Sequence, residues 1–249
     1  MAAGALPGLF LLGAYHTAAF GSPFALGYQH VALPVYQERM SAGLFGITAP
    51  DAGVAVRLLF GPFRGLLFAC PVLLFAPIGL GLIAGRGRRA EVAAIGLVFA
   101  YYWLLNAGYA TWWGGWAIGA RHLVPTIPLL GFGVAAALAR WPRAVSGVGA
   151  VSVLFMLAAT AVQPEVPDDI ANPMFDHLLP HFVRGELSVA EQGFGELYPA
   201  RIDPQEPDRW DAFNLGQVLR LPGLLSLVPL LILWAAALHF ARRRALSGS

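Results

Sequence analysis

The chain contains no lysine and only one cysteine, Cys70. A single cysteine excludes a disulfide framework and any metal site built on several thiolates. Charge is scarce as well. Charged residues make up 12% of the 249 residues, about half of what a soluble domain carries. The formal net charge of +2 leaves no basic footprint for nucleic acid, so no nucleic-acid partner is expected. There is no Gly-rich nucleotide loop, no HExxH and no GxSxG, which argues against P-loop ATPases, zincins and serine hydrolases of the α/β type. All 16 basic residues are arginine. With abundant alanine and glycine, this reads as the composition of a GC-rich, bacterial genome.

What the chain has in quantity is apolar sequence, at 57% of residues. Six apolar segments stand out, at residues 2–19, 65–84, 92–110, 122–139, 145–162 and 221–240. Each approaches the ~20 residues that cross ~30 Å of hydrocarbon as a helix. A spanning segment must satisfy its own backbone hydrogen bonds, and a helix does so. The expected fold is therefore all-α: a polytopic membrane protein of about six transmembrane helices with extracytoplasmic loops. The first segment could pass for a signal peptide but lacks a positive n-region, so it is read as a first span. Pro71, Pro77, Pro125 and Pro128 fall inside segments and predict kinks.

Arginine sets the orientation. Arg86, Arg88 and Arg89 follow the second segment, Arg140 and Arg143 the fourth, and Arg242, Arg243 and Arg244 the sixth. If six spans alternate, all three clusters share one side, which the positive-inside rule makes cytoplasmic. Both termini are then expected in the cytoplasm of a bacterial cell, at its plasma membrane. The organisation reads as a five-span bundle with two extracytoplasmic loops at 1–162, an acidic extracytoplasmic loop at 163–220, and a last span with an Arg-rich tail at 221–249. The acidic loop carries 11 of the 14 carboxylates. Its Phe175, Leu178, Leu179, Phe182 and Phe194 predict short helices lying on the membrane face. Residues 54–63, before the second span, predict a short interfacial helix.

The densest polar constellation is Tyr109-Ala110-Thr111-Trp112-Trp113-Gly114-Gly115-Trp116, followed by Gly119-Ala120-Arg121-His122. An aromatic belt with a tight Gly-Gly turn accounts for the tryptophans. It accounts less well for Arg121, an arginine opening a span on the outer side. A guanidinium there can hold a phosphate by bidentate, charge-assisted hydrogen bonds, and tryptophan faces can lie on sugars or isoprenoid chains. A second constellation, Phe20-Gly21-Ser22-Pro23-Phe24 with Gly27-Tyr28-Gln29-His30, offers polar groups after the first span, or a simple loop lid. Asp168-Asp169 reads as a solvated pair before a catalytic one. His177 and His181 share a helix face beside Asp176, but no third ligand follows at zinc-like spacing, and no metal site is expected. His16 reads as a buried, hydrogen-bonded histidine and Asn106 as a helix–helix hydrogen bonder.

Several motifs carry a resemblance. Phe20-Gly21-Ser22-Pro23-Phe24 with Gly27-Tyr28, then Arg64-Gly65-Leu66-Leu67 with Pro71, then Trp112-Trp113-Gly114-Gly115 with Gly119-Ala120-Arg121-His122-Leu123 and Pro128-Leu129-Leu130, follow one another in this order. The set resembles the C-terminal half of bacterial GT-C-type membrane glycosyltransferases, a group similar to protein O-mannosyltransferases and aminoarabinose transferases. Leu221-Pro222-Gly223-Leu224-Leu225 fits the same pattern. The resemblance departs at Ala120, where the pattern has proline, and in the family's acidic catalytic residue, which has no counterpart here. It implies transfer of a sugar from a polyprenyl-phosphate donor on the extracytoplasmic face, with no cofactor, by a chain completed by an N-terminal half or a partner subunit. Arg121, with His122 beside it, would face the lipid phosphate, whose developing charge needs a cation. Trp112, Trp113 and Trp116 would line the donor or acceptor groove, and Tyr28 and His30 would be further contacts. The resemblance assigns no catalytic residue. The alternative is a non-catalytic membrane assembly subunit or a transporter component; the scarcity of charge in the spans counts against the latter.

Overall fold

The computed structural model describes residues 4, 6–25, 27, 34–187 and 214–247, with side chains left aside at residues 35, 36, 242 and 245–247. Among the described residues the protein is all-helical, and the only β pairing is two isolated bridges, Leu44 with Ile47 and Ile47 with Tyr109. Contacts divide the chain into two compact units, Met1–Ala55 with Ala100–Trp112, and Val56–Phe99 with Trp113–Ser249.

Among the described residues four helical stretches are long and apolar enough to cross a membrane: Arg89–Ala107, Arg121–Arg140, Pro142–Val162 and Gly223–Ala241. They match the third to sixth expected segments. The first two segments form shorter helices. Helix α1, Leu6–Phe20, has 15 residues and rises about 22 Å at 1.5 Å per residue. Helix α2 is Pro34–Ser41. The segment at 65–84 is broken rather than kinked. It runs as α4, Leu66–Ala69, then a 3-10 turn, Pro71–Leu74, then α5, Phe75–Gly85. Cys70, before Pro71, sits at φ −134°, ψ 74°, because a proline ring excludes helical geometry from the residue preceding it. The break frees the Val72 amide, which donates to Ser152 Oγ of α8 (Pro142–Val162) at 2.9 Å.

Helix α3, Ala52–Phe60, falls where a short helix was expected. Its start is fixed by Asp51, whose carboxylate accepts from the Val54 amide at 2.7 Å, a side-chain N-cap. Helix α6, Arg89–Ala107, follows the Arg86–Arg88 turn.

In the second unit α5 packs along α7, Ile127–Arg140, through small residues: Ala76 and Gly79 on one side, Gly133 and Ala137 on the other. Small residues let backbones approach, which drives helix association in hydrocarbon, where apolar burial gives no advantage. A turn at Trp141 and Pro142 joins α7 to α8. Beyond α8 the chain folds back as a π-helical turn, Pro173–Leu178, and α9, Leu179–Arg184. Its Val166, Met174, Leu178 and Leu187 bury with Ala159 and Val162 of α8 and with Leu227, ahead of the terminal helix Val228–Ser247. The expected short helices in the acidic loop are thus present at 173–184; Phe194 lies outside the described residues. The terminal helix exposes Leu231, Ile232, Leu233 and Leu238, an outer surface suited to lipid.

Candidate functional site

The aromatic corner starts where α6 ends. In the first unit, the Gly108 carbonyl accepts from the Thr48 amide at 2.8 Å and from its hydroxyl at 3.1 Å. Ala110 donates to the Gly46 carbonyl at 2.7 Å. Asn106, 4% exposed, donates from Nδ2 to the Trp112 carbonyl at 3.3 Å. Asn106 was expected to bond a neighbouring helix; the partner is instead the loop that follows its own helix, because α6 ends at Ala107 and the chain turns back. Trp112 belongs to this unit, and Trp113 opens the next stretch of the other.

In the second unit, Gly114, Gly115 and Gly119 take φ of +77°, +69° and +66°, a region that side chains with a Cβ avoid. At Gly114 space demands glycine too. A Cβ there would lie 3.0 Å from Cγ and 3.2 Å from Cδ of Arg121, and 3.3 Å from Nε2 of His122. Arg121 and His122 therefore rest on the backbone of the Gly-Gly turn. Arg121 is exposed, His122 half-buried. Among the described residues the Arg121 guanidinium makes no hydrogen bond and no ion pair. Trp113 and Trp116 are half-buried on the same loop. The structure brings Trp113, Arg121 and His122 together around Gly114. Tyr28 and His30 lie outside the described residues.

A second arginine, which the sequence marks only as the head of the Arg64-Gly65-Leu66-Leu67 motif, organises the corner from beneath. Arg64 is 1% exposed, the largest fully buried side chain among the described residues. Nη1 donates to its neighbour's carbonyl, Phe63, at 3.1 Å. Nη2 donates to the carbonyls of Val166 and Pro167, both at 3.2 Å, and reaches the Gly115 carbonyl at 3.5 Å. Burial lowers its pKa to about 10, opposed by the negative charge of Asp168, so it stays charged at neutral pH. Nε is buried without a partner among the described residues. Beside it is a cleft of about 10 Å³ lined by Phe63, Phe68, Ile118, Gly119 and Met174, room for about one water molecule. The signal for Arg64 was its place: like Arg121, it opens an apolar segment on the expected outer side.

Asp168 is not a solvated member of an acidic pair. It is half-buried, and its Oδ2 accepts from Trp113 Nε1 at 2.8 Å, while Asp169 is exposed. One carboxylate is spent on an indole and the other faces out, which does not make a catalytic dyad. His177 is buried and 2.8 Å from Gln163 Oε1 through Nε2. Its ring lies 4.6 Å from that of His181, whose Nδ1 is 2.7 Å from Glu186 Oε2. Among the described residues no three His, Cys, Asp or Glu side chains group as a metal site. His16 is half-buried rather than buried, between the rings of Tyr15 and Phe20 at 5.8 and 5.9 Å.

No family model, curated protein or solved structure matches this chain. Its chemistry is carried by the geometry above. An exposed guanidinium with no hydrogen bond or ion pair among the described residues has the donors to accept an anion. It sits at the head of a helix long enough to cross a membrane, next to half-buried indoles. An anion attached to an apolar or C–H-rich body fits that combination.

Proposed function

We propose that this chain is a GT-C-type membrane glycosyltransferase component that holds the phosphate of a polyprenyl-phosphate-linked sugar at the extracytoplasmic face of the bacterial plasma membrane. One observation carries the reading: Arg121 is exposed, has no hydrogen-bond or ion-pair partner among the described residues, and rests on Gly114 beside Trp113. A structural arginine would be expected to spend its donors on protein carbonyls, as Arg64 does. Phosphate accepts two parallel N–H bonds from a guanidinium, and a departing lipid phosphate gains charge that the cation stabilises. In this reading His122 supports Arg121, and Trp113 and Trp116 flank the lipid or the sugar. Trp112, Tyr28 and His30 are assigned to the same site by resemblance alone.

The topology belongs to the same proposal. The six segments cross the bilayer, the first as α1 and the second as the broken Pro71–Gly85 helix, with both termini in the cytoplasm. The positive-inside rule supports it through the turns carrying Arg86, Arg88 and Arg89, Arg140 and Arg143, and the Arg-rich tail.

The test is binding of a polyprenyl phosphate to the full chain in lipid nanodiscs. Two charge-assisted hydrogen bonds, at about 1.5–3 kcal/mol each, predict that Arg121→Ala raises Kd by at least about 100-fold, while Arg121→Lys, a point charge without the fork, recovers part of the loss. Equal affinity of wild type and Arg121→Ala would remove Arg121 from the site. A wild-type chain that binds neither polyprenyl phosphate nor a polyprenyl-linked sugar would be the non-catalytic assembly subunit or transporter component.

A further inference from the structure

We propose that the turn ahead of the terminal helix is a phospholipid anchor: Leu215, Val218, Leu219, Leu224 and Leu225 enter the leaflet that it meets, and Arg220 holds the headgroup phosphate of an anionic phospholipid of the surrounding bilayer. The partner is a bulk lipid of the membrane, and the proposal does not rest on the reading of Arg121.

The backbone of this turn puts an arginine where glycine is usual. The short helix Leu215–Val218 closes with two hydrogen bonds: the Leu221 amide donates to the Gly216 carbonyl at 2.9 Å, and the Arg220 amide to that of Gln217 at 2.8 Å. This closure requires a left-handed residue at the position of Arg220, most often glycine, and Arg220 has φ +60°. A residue with a Cβ is strained there. Such strain persists where the surroundings impose it, and it gathers at functional sites. Here the surroundings do impose it. Asn214 Oδ1 accepts from the Gln217 amide at 3.0 Å, and Gln217 Oε1 accepts from the Asn214 amide at 2.9 Å. Asn214 Nδ2 donates to Ser226 Oγ at 3.0 Å, and Gly216 lies against the Ser226 backbone with no room for a Cβ.

These contacts fix what faces out. Gly216 is turned to Ser226, in the 3-10 turn Gly223–Leu227. Leu215, Val218 and Leu219, at i, i+3 and i+4, share a different face and are all exposed. On the neighbouring turn Leu224 and Leu225 are exposed as well, while Ser226 and Leu227 are buried. The apolar surface continues into Leu231, Ile232 and Leu233 of the terminal helix, whose stretch Gly223–Ala241 is long and apolar enough to cross a membrane. A leaflet boundary is where exposed leucines beside a cation are favourable.

Arg220 supplies the cation. It is exposed, and among the described residues its side chain makes no hydrogen bond and no ion pair. It lies three residues ahead of the stretch that can cross, at headgroup depth when that stretch fills the hydrocarbon. The arginine excess that marks a cytoplasmic end lies at the other end of the stretch, in Arg242, Arg243 and Arg244. A guanidinium among leucines matches a phospholipid part by part, with phosphate on the fork and acyl chains on the leucines. An anionic lipid fits best, because choline or ethanolamine already neutralises the phosphate of a zwitterionic one.

The experiment uses the full chain carrying Cys70→Ala and Leu219→Cys, in bilayers of phosphatidylcholine with rising shares of phosphatidylglycerol. A nitroxide on the new thiol reads depth. Oxygen, which concentrates among acyl chains, should relax it more than a water-soluble nickel chelate does. Stronger relaxation by the chelate would place the turn in water, and weak relaxation by both would place another protein segment or a second copy over it; either overturns the anchor. A bimane on the same thiol reads lipid choice through quenching by brominated phosphatidylcholine. Phosphatidylglycerol should displace the quencher about fivefold better than plain phosphatidylcholine does, the worth of one cation at a charged membrane surface. Arg220→Gly should abolish that preference and leave the unfolding midpoint in detergent no lower than that of the wild type, since glycine relieves the positive φ. A preference retained in Arg220→Gly would remove Arg220 from the phosphate, and a lowered midpoint would show that its side chain serves the fold instead. Should Leu219→Cys not fold, Leu225→Cys on the neighbouring turn carries both probes with the same expected readings.

Discussion

Gly79 of α5 lies directly against the backbone carbonyl of Gly133 of α7, with no room between them for a Cβ. The relation is reciprocal, since a Cβ on Gly133 would run into the carbonyl of Ala76. Two helices at that distance hold together by close van der Waals contact, the main resource available inside a bilayer. It also makes the pair intolerant of any added atom, because the obstacle is backbone and cannot turn aside.

Gly79→Ala should therefore destabilise the protein by about 1–3 kcal/mol, the usual penalty of overpacking. Gly81, on the same helix, faces open space, and Gly81→Ala should be neutral or gain up to about 1 kcal/mol from helix propensity. Thermal unfolding in detergent reads both. Equal effects at the two positions would mean that α5 and α7 are not in contact through Gly79.

Ser152 carries a second prediction. Its hydroxyl accepts from the Val72 amide at 2.9 Å and donates to the Val148 carbonyl at 3.2 Å, and the residue is 5% exposed. Removing it strands an amide where Pro71 breaks the helix. Ser152→Ala should cost about 1–3 kcal/mol, the desolvation penalty of an unsatisfied buried donor. Ser152→Thr keeps the oxygen and should recover most of it. Unfolding midpoints in one detergent, compared across the three proteins, check the order.

These positions mark how far the sequence is readable. Apolar runs announce four of the long helices because length and composition decide them, whatever their neighbours. The Gly114-Gly115 turn is legible because two adjacent glycines after an aromatic cluster suit positive φ. Pro71 announces a disturbance, but whether the helix bends or breaks depends on Ser152, 80 residues away, catching the freed amide. Arg64 is the clearest omission. Its motif was visible, but its role depends on the Val166 and Pro167 carbonyls, 102 and 103 residues downstream, and no local pattern encodes such a pairing. Asp168 was misjudged for the same reason, since a carboxylate in an acidic, proline-flanked loop looks solvated until the chain folds it onto an indole.

Arg64 also makes a prediction about pH. Burial lowers its pKa from the ordinary arginine value to about 10, so the folded chain gives up this proton before the unfolded chain does. Where the unfolded state binds more protons, stability rises with pH. The contribution of this group is thus flat below about pH 9 and climbs only above about pH 10. The stability difference between wild type and Arg64→Gln should accordingly stay constant from pH 6 to pH 9. Arg64→Gln itself strands the Val166 and Pro167 carbonyls and should be destabilised by a few kcal/mol at about 1–3 kcal/mol per group. A difference that titrates between pH 6 and pH 9, in denaturation profiles of the two proteins, would show that another ionising group controls the clamp.

The orientation of the whole arrangement rests on where arginines meet the bilayer, and labelling can read it. Cys70 is the only native thiol, so Cys70→Ala gives a thiol-free background. In that background Asp169→Cys adds an exposed thiol one residue past the carboxylate that holds Trp113. Arg88→Cys adds one in the short turn between α5 and α6; among the described residues Arg88 pairs with exposed Glu91 alone, at 2.9 Å, and an exposed pair is worth at most about 1 kcal/mol, so the fold tolerates the change. With that turn in the cytoplasm, a membrane-impermeant maleimide should label Asp169→Cys in intact cells and Arg88→Cys only after permeabilisation. The inverse pattern would place the Arg121 corner on the cytoplasmic side, where a polyprenyl-linked donor awaiting transfer outside the cell would not meet it. Labelling of both thiols in intact cells would place the two segments on the same outer side and remove the alternation of spans between them.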